Sequence, residues 1–67
     1  MISVKQEPFR TARIKQGFTL TSLAQKAGVT RKHLSLIENG HASPGPELAK
    51  KLTTILNTEY DSIWVVQ

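Results

Sequence analysis

Arg31, Lys32, Ser35, Leu36 and Asn39 place cationic, hydroxyl, apolar and amide side chains along the short stretch between Thr30 and Gly40. At about 100° per residue of helix they fan across roughly 0–140°, whereas Leu34, Ile37 and Glu38 gather near roughly 240–340°. The second group faces a core and the first faces outward. The outer group suits recognition of anions and base edges. Arg31 can donate a bidentate pair to guanine O6 and N7, Lys32 can reach guanine or phosphate, and Ser35 can contact either kind of base. Leu36 can touch a thymine methyl or shield the rim of an interface. Two cations in a helix's first turn oppose the macrodipole at about 0.3–1 kcal/mol each, which a bound phosphate or guanine edge would offset. The bland alternative is that both are solvated surface charges.

Catalytic chemistry is poorly served. His33, Ser35 and Asp61 supply the letters of a triad, but Ser35 falls mid-helix, with no strained nucleophile turn or oxyanion loop beside it. His33 and His41 are too few and too poorly supported for a metal site, and no glycine-rich loop resembles a nucleotide cradle. We therefore expect no enzyme, metal or cofactor. The absence of cysteine removes disulfides, thiol nucleophiles and zinc fingers, and fits a reducing compartment. Nine Lys and Arg against five Asp and Glu leave a net charge of +4, a modest bias toward a polyanion. No apolar run approaches the roughly 20 residues of a membrane span, and the N-terminus lacks a signal peptide's basic-then-apolar order. The expectation is a soluble, cytoplasmic chain.

The positioning elements read as short helices. Pro8 suits a first turn, so helix 1 is expected over Pro8 to Gln16, ended by Gly17. Thr19 offers an N-cap hydroxyl to helix 2, Leu20 to Ala27, whose buried stripe is Leu23, Ala24 and Ala27. Gly28 and Val29 form a turn, and Thr30 caps helix 3, Arg31 to about Asn39, stopped by Gly40. Asn39-Gly40 is also a hairpin signal, but no strands flank it. Gly45 and Pro46 open helix 4, which reaches Leu56 and buries Leu48 or Ala49 with Leu52, Ile55 and Leu56. A last helix, about Glu59 to Trp64, adds Tyr60, Ile63 and Trp64 to the core. At 67 residues the chain suits one domain, with a helical core over about 8–64 and an N-terminal arm at 1–7.

Ala24, Gly28 and Ile37, with Val29 between, are spaced as two helices crossing at about 90–120° through a tight turn require. They supply a small residue at the crossing, a positive-φ residue in the turn and an apolar contact from the second helix. Here the chain resembles the Cro and lambda-repressor-like (Xre-type) helix-turn-helix DNA-binding family. The resemblance runs from about Phe9 to Trp64 and includes Glu38-x-Gly40 followed by Ser43-Pro44 and a fourth helix. It departs from the family at Phe18 to Ser22, which lacks acidic residues, and Ser22 replaces the usual Glu or Gln of a capping box.

The resemblance implies an all-α, compact five-helix fold with the helix-turn-helix at helices 2 and 3. It implies sequence-specific binding of a double-stranded operator in the major groove, as a repressor of phage or bacterial type. Base contacts would come from Arg31, Lys32, Ser35 and Leu36. Phosphate contacts would come from the start of helix 2 at Thr19, Leu20 and Thr21, and from Asn39, with Gln25, Thr30, His41 and Ser43 as weaker candidates. Lys50 and Lys51 would supply field. The resemblance also positions Arg13 to meet Glu38 in a bidentate salt bridge that locks helix 3 against helix 1.

Domains of this size in the family usually bind as two-fold dimers with recognition helices about 34 Å apart. The candidate dimer surface is Tyr60, Ile63, Trp64, Val65 and Val66, more apolar than a monomer's C-terminus requires. The alternatives are closure of the core by Trp64, or a strand at Val65 and Val66 pairing with Ile2 to Lys5 within the chain or across a dimer. A reading from another class is an antitoxin-like interaction module whose apolar C-terminus masks a protein partner.

Overall fold

The computed structural model describes residues 1–67. Strand β1 (Ile2–Val4) leads into helices α1 (Gln6–Lys15), α2 (Leu20–Ala27), α3 (Arg31–Glu38), α4 (Pro46–Ile55) and α5 (Tyr60–Ile63), and strand β2 (Trp64–Val66) follows. The five helices are those expected from the caps and glycines, with a small sheet added.

One device ends the first four helices. After α1, Gly17 N–H donates to Ile14 O and Phe18 N–H to Arg13 O; after α2, Gly28 N–H donates to Gln25 O and Val29 N–H to Ala24 O. After α3, Gly40 N–H donates to Ile37 O and His41 N–H to Leu36 O, and after α4, Asn57 N–H donates to Thr54 O and Thr58 N–H to Thr53 O. These are Schellman pairs, which need a left-handed residue at the pivot. Gly28 has φ 75° and Gly40 φ 79°, while Asn57, at φ 51°, does the same work at the end of α4. Asparagine tolerates this region because its short polar side chain bonds locally.

The helix starts hold two differences from expectation. α1 begins at Gln6 rather than Pro8, with Pro8 in the third position of the first turn, where its missing N–H has no helical acceptor to lose. At α2 the Ser22 hydroxyl completes a capping box after all: Thr19 Oγ1 accepts from Ser22 N at 3.0 Å and Ser22 Oγ accepts from Thr19 N at 2.9 Å. A hydroxyl can therefore do what a longer Glu or Gln side chain does elsewhere.

The core gathers Phe9, Leu23, Ala24, Ala27, Leu34, Ile37, Ala49, Leu52, Leu56, Ile63 and Trp64 with Ile2 from β1. Trp64 sits at its centre, its ring 5.5 Å from that of Phe9. Its Nε1–H donates to Thr53 Oγ1 at 2.9 Å, and that hydroxyl donates to Ala49 O at 2.8 Å. The indole is buried without an orphaned donor.

α5 ends at Ile63, and Trp64 opens β2 rather than finishing a helix. β2 runs antiparallel to β1 within the chain, pairing Ile2 with Val66, Ser3 with Val65 and Val4 with Trp64. Residues 1–7 are thus not an arm: they hold β1 and the first residues of α1. Reciprocal bonds between Met1 and Gln67 (2.7 and 2.8 Å) and from Lys5 N to Ile63 O (2.8 Å) extend the ribbon at both ends. The hydroxyl of Ser43 donates to Ile2 O at 2.7 Å, tying the loop after α3 to β1. No helix is long and apolar enough to cross a membrane.

Candidate nucleic-acid interface

α3 has two chemically opposite sides. Leu34 and Ile37 are fully buried, and Glu38, the next inward residue, is buried as well. Glu38 Oε1 accepts from Arg13 Nε at 2.8 Å, while Arg13 Nη1 donates to Phe18 O at 3.0 Å. The guanidinium is therefore not bidentate on the carboxylate; its fork is shared between Glu38 and the backbone turn that joins α1 to α2. One arginine thereby fixes three elements, and the buried carboxylate keeps a charged partner, without which it would be strongly destabilising.

The outward side carries no such compensation. Arg31 and Lys32 are exposed and form neither an ion pair nor a hydrogen bond, since only Arg10 and Arg13 are salt-bridged. No acidic residue occupies the first turn of α3. The sequence has no Asp or Glu between Glu7 and Glu38, so the whole α2–turn–α3 unit up to Ile37 carries cations only. That acid-free stretch was legible and is a broader signal than the two cations alone. The cations of that unit, Lys26, Arg31 and Lys32, therefore have no acidic neighbour within it up to Ile37.

Thr30 caps α3 by accepting from His33 N at 3.0 Å, leaving its O–H and the N–H groups of Arg31 and Lys32 without protein partners. α2 begins the same way. Thr19 and Ser22 close on each other, while the backbone N–H groups of Leu20 and Thr21 remain free. Of the three residues expected there, Thr21 has an exposed side chain, Leu20 packs against the core and offers backbone alone, and the Thr19 hydroxyl is engaged in the cap. Gln25 and His41 are exposed and form no side-chain hydrogen bond.

Ser35 is half-buried and Leu36 is 38% exposed on the outward side. Asn39, the residue after α3, folds its amide back onto Ser35, an arrangement not foreseen in the sequence. Ser43 has its hydroxyl proton committed to Ile2 O, so while that bond stands it cannot donate to a phosphate. That partner lies in β1, the strand named in the sequence only as an alternative.

At the C-terminal end, Ile63 and Trp64 are core residues, each 1% exposed, and cannot present a dimer surface in this fold. Tyr60 is half-buried with its ring 6.5 Å from Trp64, which leaves Val65 and Val66 as the exposed apolar pair. No cluster of His, Cys, Asp and Glu is arranged to hold a metal ion.

A family described as Helix-turn-helix matches residues 9–63. A protein of Archaeoglobus fulgidus described as an uncharacterized HTH-type transcriptional regulator is 32% identical over 56 residues, spanning 84% of this chain and 80% of that one. Among solved structures, the clp gene regulator ClgR from C. glutamicum superposes with a TM-score of 0.76 at 28% identity, covering 85% of this chain and 74% of its own. The restriction-modification controller protein C.AhdI from Aeromonas hydrophila shares the fold at a TM-score of 0.75 and 24% identity, covering 85% and 83%.

Proposed function

The chain belongs to the Helix-turn-helix family, and on that premise we propose that it binds duplex DNA sequence-specifically, with α3 in the major groove, as a transcriptional repressor. The observation that carries this reading is the contrast within α3. Its inner side is locked by burial and by Arg13, while Arg31 and Lys32 stand unpaired at the outer side of its first turn. A recognition helix commonly meets base edges with its N-terminal residues. Arg31 and Lys32 read bases there, with Ser35 and Leu36 one turn on. Phosphates are held by the free N–H groups of Leu20 and Thr21, by the Thr21 and Thr30 hydroxyls, and at the rim by Gln25 and His41.

The protein acts in the cytoplasm as a homodimer whose two α3 helices enter successive major grooves about 34 Å apart. Of the apolar C-terminal segment, Val65 and Val66 are what a second subunit can reach. The antitoxin-like alternative rested on that segment, and the burial of Ile63 and Trp64 removes much of its support.

The test is selection from a random duplex library, followed by salt titration of the enriched site with wild type, Arg31→Ala and Lys32→Ala. Sequence-specific binding that weakens steeply with salt and is lost in Arg31→Ala supports the reading. Salt-sensitive but sequence-blind binding would leave only a basic surface.

A further inference from the structure

The side chain of Asn39 makes an unusual pair of contacts at the end of α3. Its Nδ2 donates to Ser35 O at 2.9 Å, beside the backbone bond from Asn39 N to the same oxygen at 3.0 Å, and lies 3.4 Å from Ser35 Oγ. A carbonyl only accepts, so the atom facing it must be the amide nitrogen, and this fixes which way the amide points.

We propose that Asn39 is a positioning residue that makes Ser35 a hydrogen-bond donor toward the bases, so that α3 reads an acceptor atom at the base pair beneath it. This rests on the major-groove reading above. The hydroxyls of Ser22, Ser43, Thr53 and Thr54 each donate to a backbone carbonyl, whereas that of Ser35 donates to none. With the Asn39 NH₂ lying alongside Oγ, a hydroxyl proton turned inward would set hydrogen against hydrogen. It turns outward, and a lone pair faces the amide. A serine normally accepts or donates and so contacts either kind of base. Oriented this way it favours purine N7, guanine O6 or thymine O4, and disfavours the amino groups of adenine N6 and cytosine N4. Asn39, which the resemblance implies as a phosphate contact, has an amide N–H donating to Ser35 O.

The experiment measures binding to the selected operator and to every single base-pair substitution of it, using wild type, Ser35→Ala, Asn39→Ala and Asn39→Asp, each checked for folding by circular dichroism. Ser35→Ala identifies the base pair that Ser35 reads as the position where preference flattens. Asn39→Ala is expected to reduce preference at that same pair by roughly threefold to tenfold, the worth of one ordinary hydrogen bond, with the salt dependence unchanged. Asn39→Asp has no donor for Ser35 O, so it loses the fold-back and is expected to reduce preference at that pair as Asn39→Ala does. Two results overturn the inference while sparing the major-groove reading. One is uniform weakening by both Asn39 variants with the Ser35-dependent preference intact, as a phosphate contact predicts; the other is a Ser35→Ala profile matching wild type. A wild-type protein with no preference at any base pair overturns the major-groove reading and this inference together.

Discussion

The inner and outer sides of α3 are built from the same eight residues and differ in almost every physical respect. Inward, Leu34 and Ile37 are sealed from water and Glu38 is held by Arg13, so every group has a partner within the chain. Outward, Arg31 and Lys32 have none, and they stand where the macrodipole disfavours them. The inner side is satisfied by folding alone. The outer side is left unsatisfied by folding, which is the condition for an interface that another molecule completes.

The contrast breaks most visibly from the inside. Leu34→Ala removes a fully buried side chain and should cost about 2–5 kcal/mol, enough to unfold much of a domain this small. Chemical denaturation followed by circular dichroism measures it, and a cost below about 1 kcal/mol would contradict the tight packing described. Arg13→Met should cost about 3 kcal/mol because it strands the Glu38 carboxylate in the core. Adding Glu38→Leu should then recover much of that loss; if the double variant is no better than the single, the pair is not the source of the effect. Gly40→Ala should cost about 1–2 kcal/mol, since Gly40 has φ 79° and an added Cβ would lie 3.1 Å from Gln6 Nε2. A melting curve unchanged from wild type would show that the end of α3 tolerates a different closure.

The smallest stability effect is the sharpest test, because its sign is reversed. Arg31→Ala and Lys32→Ala should each leave stability unchanged or raise it by about 0.3–1 kcal/mol by removing a cation from the positive end of α3. The same changes should weaken binding to a selected duplex by about tenfold or more. Loss of stability together with loss of binding would mean that the outer side is structural as well.

Most of the helical frame was legible because its signals are local. Thr19, Thr30, Gly28 and Gly40 act within one turn of where they stand, so each marks a helix end without knowledge of the rest of the chain. Pro8 misled by two residues because any first-turn position suits a residue without an N–H, and α1 uses the third. Asn57 gives little sign of the left-handed pivot that ends α4, because asparagine is a weaker marker for it than glycine. The outer residues of α3 followed from the helical period. What they do with one another did not: the fold-back of Asn39 onto Ser35 depends on a rotamer choice that residue spacing does not specify.

Local residue chemistry sets where α2, α3 and α4 begin, which side of α3 turns inward, and that no acid stands between Glu7 and Glu38 to neutralise Arg31 and Lys32. Tertiary contacts choose among the alternatives left open for the chain ends and set how the buried charge of Glu38 is shared. The pairing of Val65 and Val66 with Ile2 to Lys5 stands in the sequence only as one alternative, because strands as short as Ile2–Val4 and Trp64–Val66 carry little periodicity and form only when the helices bring the ends of the chain together. The same closure draws Ile63 and Trp64 into the core, commits the Ser43 hydroxyl to Ile2, and sets Arg13 between Glu38 and Phe18. Of these, the Ser43–Ile2 bond and the sharing of the Arg13 fork between Glu38 and the Phe18 carbonyl are details that residue spacing does not specify.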